Sequence, residues 1–284
     1  MEKSVALVAD STCDLSPELI ERYHIHILPL NITLGDTSYR DGAELTPDQI
    51  YDWVDKNGAT PKTAAPNPAD AVALLRPLAG AGMEILCFGI SQEMSSSCQV
   101  MRLAAEEAGC RTCIVIDSEN LSTGIGLQVL RAAELAESGL GAAEIAGQIN
   151  AARGRVRASF VVDTLTYLYK GGRCGAVAAL LGTALRLKPK IQVAAGRMGV
   201  GKKYRGAQSK VIADYVADLL PQLAGAAPAH VFITHSGVEE AVLAGVRQKL
   251  EALHRFREIH ITRAGGVISS HCGPGTLGVL FYAE

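Results

Sequence analysis

Short apolar runs alternate with helical stretches along the first half of the chain. Val5 to Ala9 and Ile27 to Leu34 read as strands, as do Glu84 to Ile90 and Cys113 to Asp117. Between them, Thr46-Pro47-Asp48-Gln49 is a capping box with proline at the first helical position, and the helix it opens runs on through Trp53 and Val54. Asn67-Pro68 starts another helix, Ser97 to Ala108 a third, and Leu121 to Glu137 a long fourth. Strands separated by helices in this rhythm predict a largely parallel, Rossmann-like sheet with helices on both faces.

The rhythm breaks at Ala152-Arg153-Gly154-Arg155. Beyond it, Ser159 to Val162 reads as a strand and Leu165 to Lys170 as a short helix. Lys190 to Ala194 and Met198 to Lys203, split by Ala195-Gly196-Arg197, form a hairpin. Helices are expected over Lys210 to Leu223 and Glu239 to Leu253, with strands at Val231 to Thr234, Glu258 to Thr262 and Leu277 to Tyr282. The expected architecture is α/β with two domains, residues 1–155 carrying the parallel sheet and residues 156–284 a mixed sheet.

Ligands of parallel α/β sheets bind at the carboxyl ends of strands, and small polar turns cluster there. Asp10-Ser11-Thr12-Cys13-Asp14 and Asp117-Ser118-Glu119-Asn120-Leu121-Ser122-Thr123-Gly124 read first as helix caps, with ligand binding as the alternative. Lys62 to Pro68 holds Thr63 in a proline-stiffened loop, open to either a structural or a binding reading. Gly89 to Ser97 contains four serines, more than one cap needs. Its hydroxyls and N–H groups suit an anion at a helix start. Ser269-Ser270-His271-Cys272-Gly273-Pro274-Gly275 reads as a rigid turn between strands, with His271 either a structural hydrogen-bonder or a functional group. Lys170 and Arg173, around Gly171-Gly172, suit a helix C-terminus, and an exposed Arg173 could also reach a phosphate or a partner.

Composition narrows the ligand class. A net charge of -2 leaves no electrostatic footprint for nucleic acid, and 5% aromatic residues leave few stacking platforms for bases. No apolar run is long enough for stable membrane insertion, and Met1 to Ser4 leads into the first strand without a signal-peptide core. Seven scattered cysteines, an odd number, suit reduced thiols in the cytoplasm.

In order along the chain, Asp10 to Leu15, the Thr63 loop ending in Pro66, the Ser91 turn with Ser95 and Gln99, and Val115-Ile116-Asp117-Ser118 resemble the DegV family of bacterial fatty acid-binding proteins. So do Asp163-Thr164-Leu165 through Lys170 to Arg173, Leu187-Lys188-Pro189, and His271-Cys272-Gly273-Pro274-Gly275. The resemblance implies a long-chain fatty acid in a deep interdomain channel, its carboxylate held by the hydroxyls of Thr63 and Ser91. Ser95, His271 and Gly273 are expected beside it, and Arg173 with Lys170 at the polar mouth. It also implies a separate fatty acid kinase as a possible partner, to which the lipid is presented and from which the acyl phosphate is carried. The chain departs from the family pattern at Ala64, Ala65 and Gln92, which removes polar groups from the loop and adds bulk after Ser91.

Catalytic motifs are few. The chain has neither a Walker-type loop nor a Gly-x-Ser-x-Gly elbow. Cys110-Arg111-Thr112-Cys113 has no second pair for zinc, and His24 and His26 read as surface residues. No cofactor, metal or enzymatic step is expected. A Ser/His lipid hydrolase using Ser91 or Ser95 with His271, and a lipid-sensing regulatory module without a kinase, are the alternatives.

Overall fold

The computed structural model describes residues 5–180 and 187–284; residues 1–4, whose lack of a signal-peptide core was noted above, lie outside it. In chain order the first part contains β1 (Val5–Asp10), α1 (Pro17–Arg22), β2 (His26–Leu28), β3 (Asn31–Leu34), β4 (Thr37–Arg40), α2 (Pro47–Asn57) and β5 (Lys62–Ala64). It continues with α3 (Pro68–Gly80), β6 (Glu84–Gly89), α4 (Ser97–Glu107), β7 (Cys113–Asp117), α5 (Thr123–Glu137) and α6 (Ala142–Ala152). The second part contains β8 (Val156–Val161), α7 (Thr166–Gly171), β9 (Leu187–Ala194), β10 (Arg197–Arg205), α8 (Gln208–Ala224), β11 (Ala226–His235), α9 (Glu240–Glu251), β12 (Glu258–Arg263), α10 (Gly266–Cys272) and β13 (Leu277–Ala283).

The fold is α/β with a parallel and a mixed sheet. A four-stranded parallel sheet runs β2-β1-β6-β7, and a six-stranded sheet runs β10-β9-β8-β13-β11-β12, in which β11 and β12 alone pair in parallel. Alternation along β1 decides the layers. Leu7 and Ala9 face α5 and α6, while Ala6 and Val8 face α3 and α4. Helices α8 and α9 cover the far face of the six-stranded sheet through Val211, Tyr215, Val246 and Leu250.

Helix α5 lies between the two large sheets. Ten of its 15 residues are buried, and its core cluster joins Phe88 of β6 to Phe160 of β8 and Leu280 of β13. A helix buried along most of its length needs such a two-sided setting. The chain passes from one sheet to the other between Ala152 and Val156.

Several local expectations are corrected. Ile27 to Leu34 is two strands in different sheets, because Pro29 has no N–H for a ladder and the Leu30 N–H donates to Ser11 Oγ instead. The Thr63 loop is strand β5, paired with β3 in an antiparallel β4-β3-β5 sheet where Ile32 faces Thr63. Helix α6 has no counterpart in the sequence reading. The hairpin forms as expected, turning on Ala195 and Gly196, which both have positive φ.

Candidate functional site

A cavity of about 310 Å³ opens between the two large sheets, a size at the small end of ligand pockets, which run from ~300 to 1,000 Å³. Its walls are mostly apolar: Ile90, Leu121, Phe160, Met198 and Leu280 come from the strands and loops of both sheets, and Leu168 from α7. Thr63, Ser95, Ser96, His271 and Arg173 supply polar groups. Other hydroxyls in the wall are engaged internally. Thr234 Oγ1 lies 2.6 Å from Thr123 Oγ1 and 3.1 Å from Thr262 Oγ1, and the Ser236 hydroxyl donates to the Gly273 carbonyl.

His271 is delivered by α10 and not by a turn between strands, which corrects the sequence expectation. Two buried carboxylates build that helix. Asp14 Oδ1 accepts from the Gly265 N–H at 2.8 Å, and Asp41 Oδ1 accepts from the N–H groups of Gly266 and Val267. These bonds cap donors that a helix start leaves unpaired. Ser122 and Ser11 donate to the second oxygens of Asp14 and Asp41. Burial pushes the Asp14 carboxyl up to about 8 and raises that of Asp41.

At the other end of α10, His271 Nε2 lies 2.8 Å from Thr63 Oγ1. Its Nδ1 is buried without a partner. A buried N–H without an acceptor costs more than a buried lone pair left bare, so the proton belongs on Nε2, which then donates to Thr63. The threonine O–H is left free to donate into the cavity. Burial first, then the charge of Arg173, lowers the His271 pKa to about 4. The ring is therefore neutral at pH 7.

Gly171 explains how the ring fits. A Cβ at this position would stand 2.2 Å from His271 Nδ1, so only glycine lets α7 pass the imidazole. The expected helix C-cap is the next residue, Gly172, in the left-handed region at φ 70°. Arg173 follows, exposed, with Nη1 donating to the Gly171 carbonyl at 2.8 Å, and it reaches the cavity wall.

The serine turn divides differently from the sequence expectation. Ser91 is fully buried and is not among the cavity-lining residues. Its hydroxyl donates to the Gly196 carbonyl at 2.8 Å, and its N–H donates to the Asn120 carbonyl, so it fastens the β9–β10 turn to the end of β6. Ser95 lines the cavity instead, 2.9 Å from Ser97 Oγ. Ser96, the N-cap of α4, makes no side-chain cap bond and also lines it.

Gly273 is a packing residue: at φ 72°, a Cβ there would lie 2.6 Å from the Tyr167 ring. Lys170 is exposed on α7 and does not line the cavity. The sequence reading missed Gly171 as the neighbour of the imidazole. It also missed Asp41, which sits in an ordinary Arg40-Asp41-Gly42 turn that carries no signal of burial.

A family model described as "Uncharacterised protein, DegV family" matches residues 4–284. The chain belongs to the DegV family. A DegV domain-containing protein of Deinococcus radiodurans is 38% identical over 280 residues, covering 97% of both chains. A DegV family protein from Thermus thermophilus, described by its fatty acid binding, superposes with a TM-score of 0.89 at 32% identity over 99% of this chain and 100% of its own. DegV of Bacillus subtilis, described as a fatty acid-binding protein, superposes at 0.86 with 26% identity over 99% of this chain and 100% of its own. As in its DegV neighbours, the two sheets form the frame of one α/β structure, with the cavity of this chain between them.

Proposed function

We propose that this DegV protein binds a long-chain fatty acid in the cavity between its sheets, which belong to domains 1–155 and 156–284. The Thr63–His271 pair in a mostly apolar cavity is the observation that carries the reading. Each buried methylene of an acyl chain contributes ~0.8 kcal/mol, so a long chain offers on the order of 10 kcal/mol before association costs. The carboxylate is the difficult group, since burying it unpaired is prohibitive. Thr63 O–H, oriented by neutral His271, and the Ser95 hydroxyl supply donors, and the start of α4 beside Ser96 supplies a favourable dipole. Ser95 takes the place in this clamp that the sequence reading gave to Ser91.

The reading is of a binder and not a hydrolase. His271 Nε2 faces a threonine and not a serine, and an imidazole with a pKa near 4 is a weak general base at neutral pH. Presentation of the lipid to a separate kinase, with return of the acyl phosphate, rests on the family resemblance. Exposed Arg173 at the cavity suits the role of meeting a phosphate or a partner. No helix among the described residues is long and apolar enough to cross a membrane, which fits a carrier working in the cytoplasm.

Organic extraction of protein purified from a bacterial host, followed by mass analysis, tests the reading. A stoichiometric fatty acid is expected, exchangeable for added palmitate. Protein that carries none and takes up none overturns it.

A further inference from the structure

A cluster on the opposite stretch of β11 is unrelated to the lipid cavity. Thr234 of this strand lines the cavity, and His230 lies four residues back, ~13 Å along an extended strand. Strands β11 and β12 pair in parallel, with His230 opposite Glu258 and Phe232 opposite His260. Alternation puts His230, Glu258 and His260 on one face. His230 Nδ1 stands 3.0 Å from His260 Nε2, and His260 Nε2 stands 3.8 Å from Glu258 Oε2. One ligand atom from each residue falls within 4.8 Å of the others.

From these distances we propose that His230, Glu258 and His260 form a binding site for a divalent d-block cation, with Zn²⁺ as its best-fitting probe. Ligand atoms ~2.0–2.2 Å from a tetrahedral zinc lie ~3.3–3.6 Å from one another, close to the 3.0 Å and 3.8 Å separations that His260 Nε2 makes with His230 Nδ1 and Glu258 Oε2. Two imidazoles and one carboxylate favour zinc and its d-block neighbours over magnesium or calcium. A positioning residue is also in place. His230 Nε2 lies 3.1 Å from Glu134 Oε1 on α5, the arrangement that holds a metal-ligating imidazole in one tautomer. Metal at Nδ1 fixes the proton on Nε2, donating to Glu134, and leaves Arg257 paired with Glu134 and, at 3.9 Å, with Glu258 Oε1.

The surroundings permit entry. His230 is buried, but Glu258 keeps about a quarter of its side-chain surface exposed, and its arginine partners, Arg22 and Arg257, are themselves largely exposed. Such a pair contributes little and yields readily. A cavity of about 330 Å³, lined by His230 and Glu134, approaches from the α5 side. The site would tie α5 to the β11–β12 edge of the six-stranded sheet.

The test strips the purified protein with a chelator, then titrates Zn²⁺ against a chromophoric competitor and Co²⁺ by absorption. One equivalent should bind. His260→Ala, on the edge strand, should weaken binding at least a hundredfold while the folded circular dichroism is retained. Glu134→Gln should weaken it roughly tenfold to a hundredfold without changing stoichiometry. The Co²⁺ spectrum should lack the thiolate charge-transfer band that coordination by any of the seven cysteines would give. No saturable binding, unchanged binding in both His260→Ala and Glu258→Gln, or a thiolate band overturns the proposal.

Discussion

Thr63 and His271, 208 residues apart in sequence, meet at 2.8 Å across the polar part of the cavity. Each arrives on a different kind of support. Thr63 is held in register by the β3–β5 ladder opposite Ile32, and His271 by a helix whose first N–H groups are capped by Asp14 and Asp41. Neither support is part of the large sheets, so the pair depends on the small sheet and α10 docking together through the core that joins Ile32, Ile50 and Val267.

Thr63→Val should weaken fatty acid binding by ~1.5–3 kcal/mol, roughly tenfold to a hundredfold in Kd, because it removes a donor to a charged oxygen and leaves His271 Nε2–H unpaired. Ser95→Ala should act in the same direction. Ser91→Ala should instead cost ~1–3 kcal/mol of stability, since the Gly196 carbonyl loses its buried partner, with a smaller effect on Kd. Displacement of a fluorescent fatty acid and urea denaturation separate the two. A larger affinity loss at Ser91 than at Ser95 would return the clamp to Ser91.

The His271 imidazole should make the protein sensitive to acid. Unfolded, it takes a proton near pH 6.5; folded, only near 4. Between those values the unfolded chain binds more protons, so stability falls as pH falls. The contribution is complete above pH 6.5 and lost as pH drops through about 4. His271→Gln should flatten that part of the stability curve, measured by denaturation at pH steps. An unchanged slope between pH 6.5 and 4 would show that the ring is not buried neutral.

The large parallel sheet was legible because its signal is local: apolar runs, capping boxes and prolines at helix starts each act within a few residues. The site was legible only in part. Thr63, Ser95, His271 and Arg173 carry hydroxyls, an imidazole and a charge that invite attention wherever they sit. What decides their roles is nonlocal. Ser91 and Ser95 are equivalent in sequence, and the β9–β10 turn selects between them by placing the Gly196 carbonyl against Ser91 alone. Helix α10 looked like a turn because its caps, Asp14 and Asp41, come from elsewhere in the chain. Helix α6 followed another helix directly, where a strand-helix rhythm predicts a strand.

Asp14 should give a pH dependence of the opposite sign to His271. The folded carboxyl keeps its proton up to about pH 8, whereas the unfolded one releases it near 3.8. Between those values the folded chain binds more protons, so this contribution is complete below pH 3.8 and is lost as pH rises through about 8. Asp14→Asn keeps an oxygen for the Gly265 N–H and turns its amide toward Ser122 Oγ. The variant should lose the decline in stability with rising pH, as denaturation midpoints from pH 5 to 9 would reveal. A decline as steep as in the unaltered protein would exclude a proton held at Asp14.

Gly171→Ala gives the sharpest test of how the imidazole is placed. The added methyl would sit 2.2 Å from His271 Nδ1 and 3.1 Å from Cε1, inside any tolerable contact. Because the nearest neighbour is a ring on a short helix and not a flexible chain end, the ring must shift from its place against Thr63. Helix propensity alone would make the substitution stabilising by up to ~1 kcal/mol at an open helical position. Here the sign should reverse, with a loss of stability and a drop in fatty acid affinity comparable to that of Thr63→Val. Combining the two substitutions should add little further loss of affinity, since both break the same bond. Full additivity would mean that Gly171 acts on the ligand by another route.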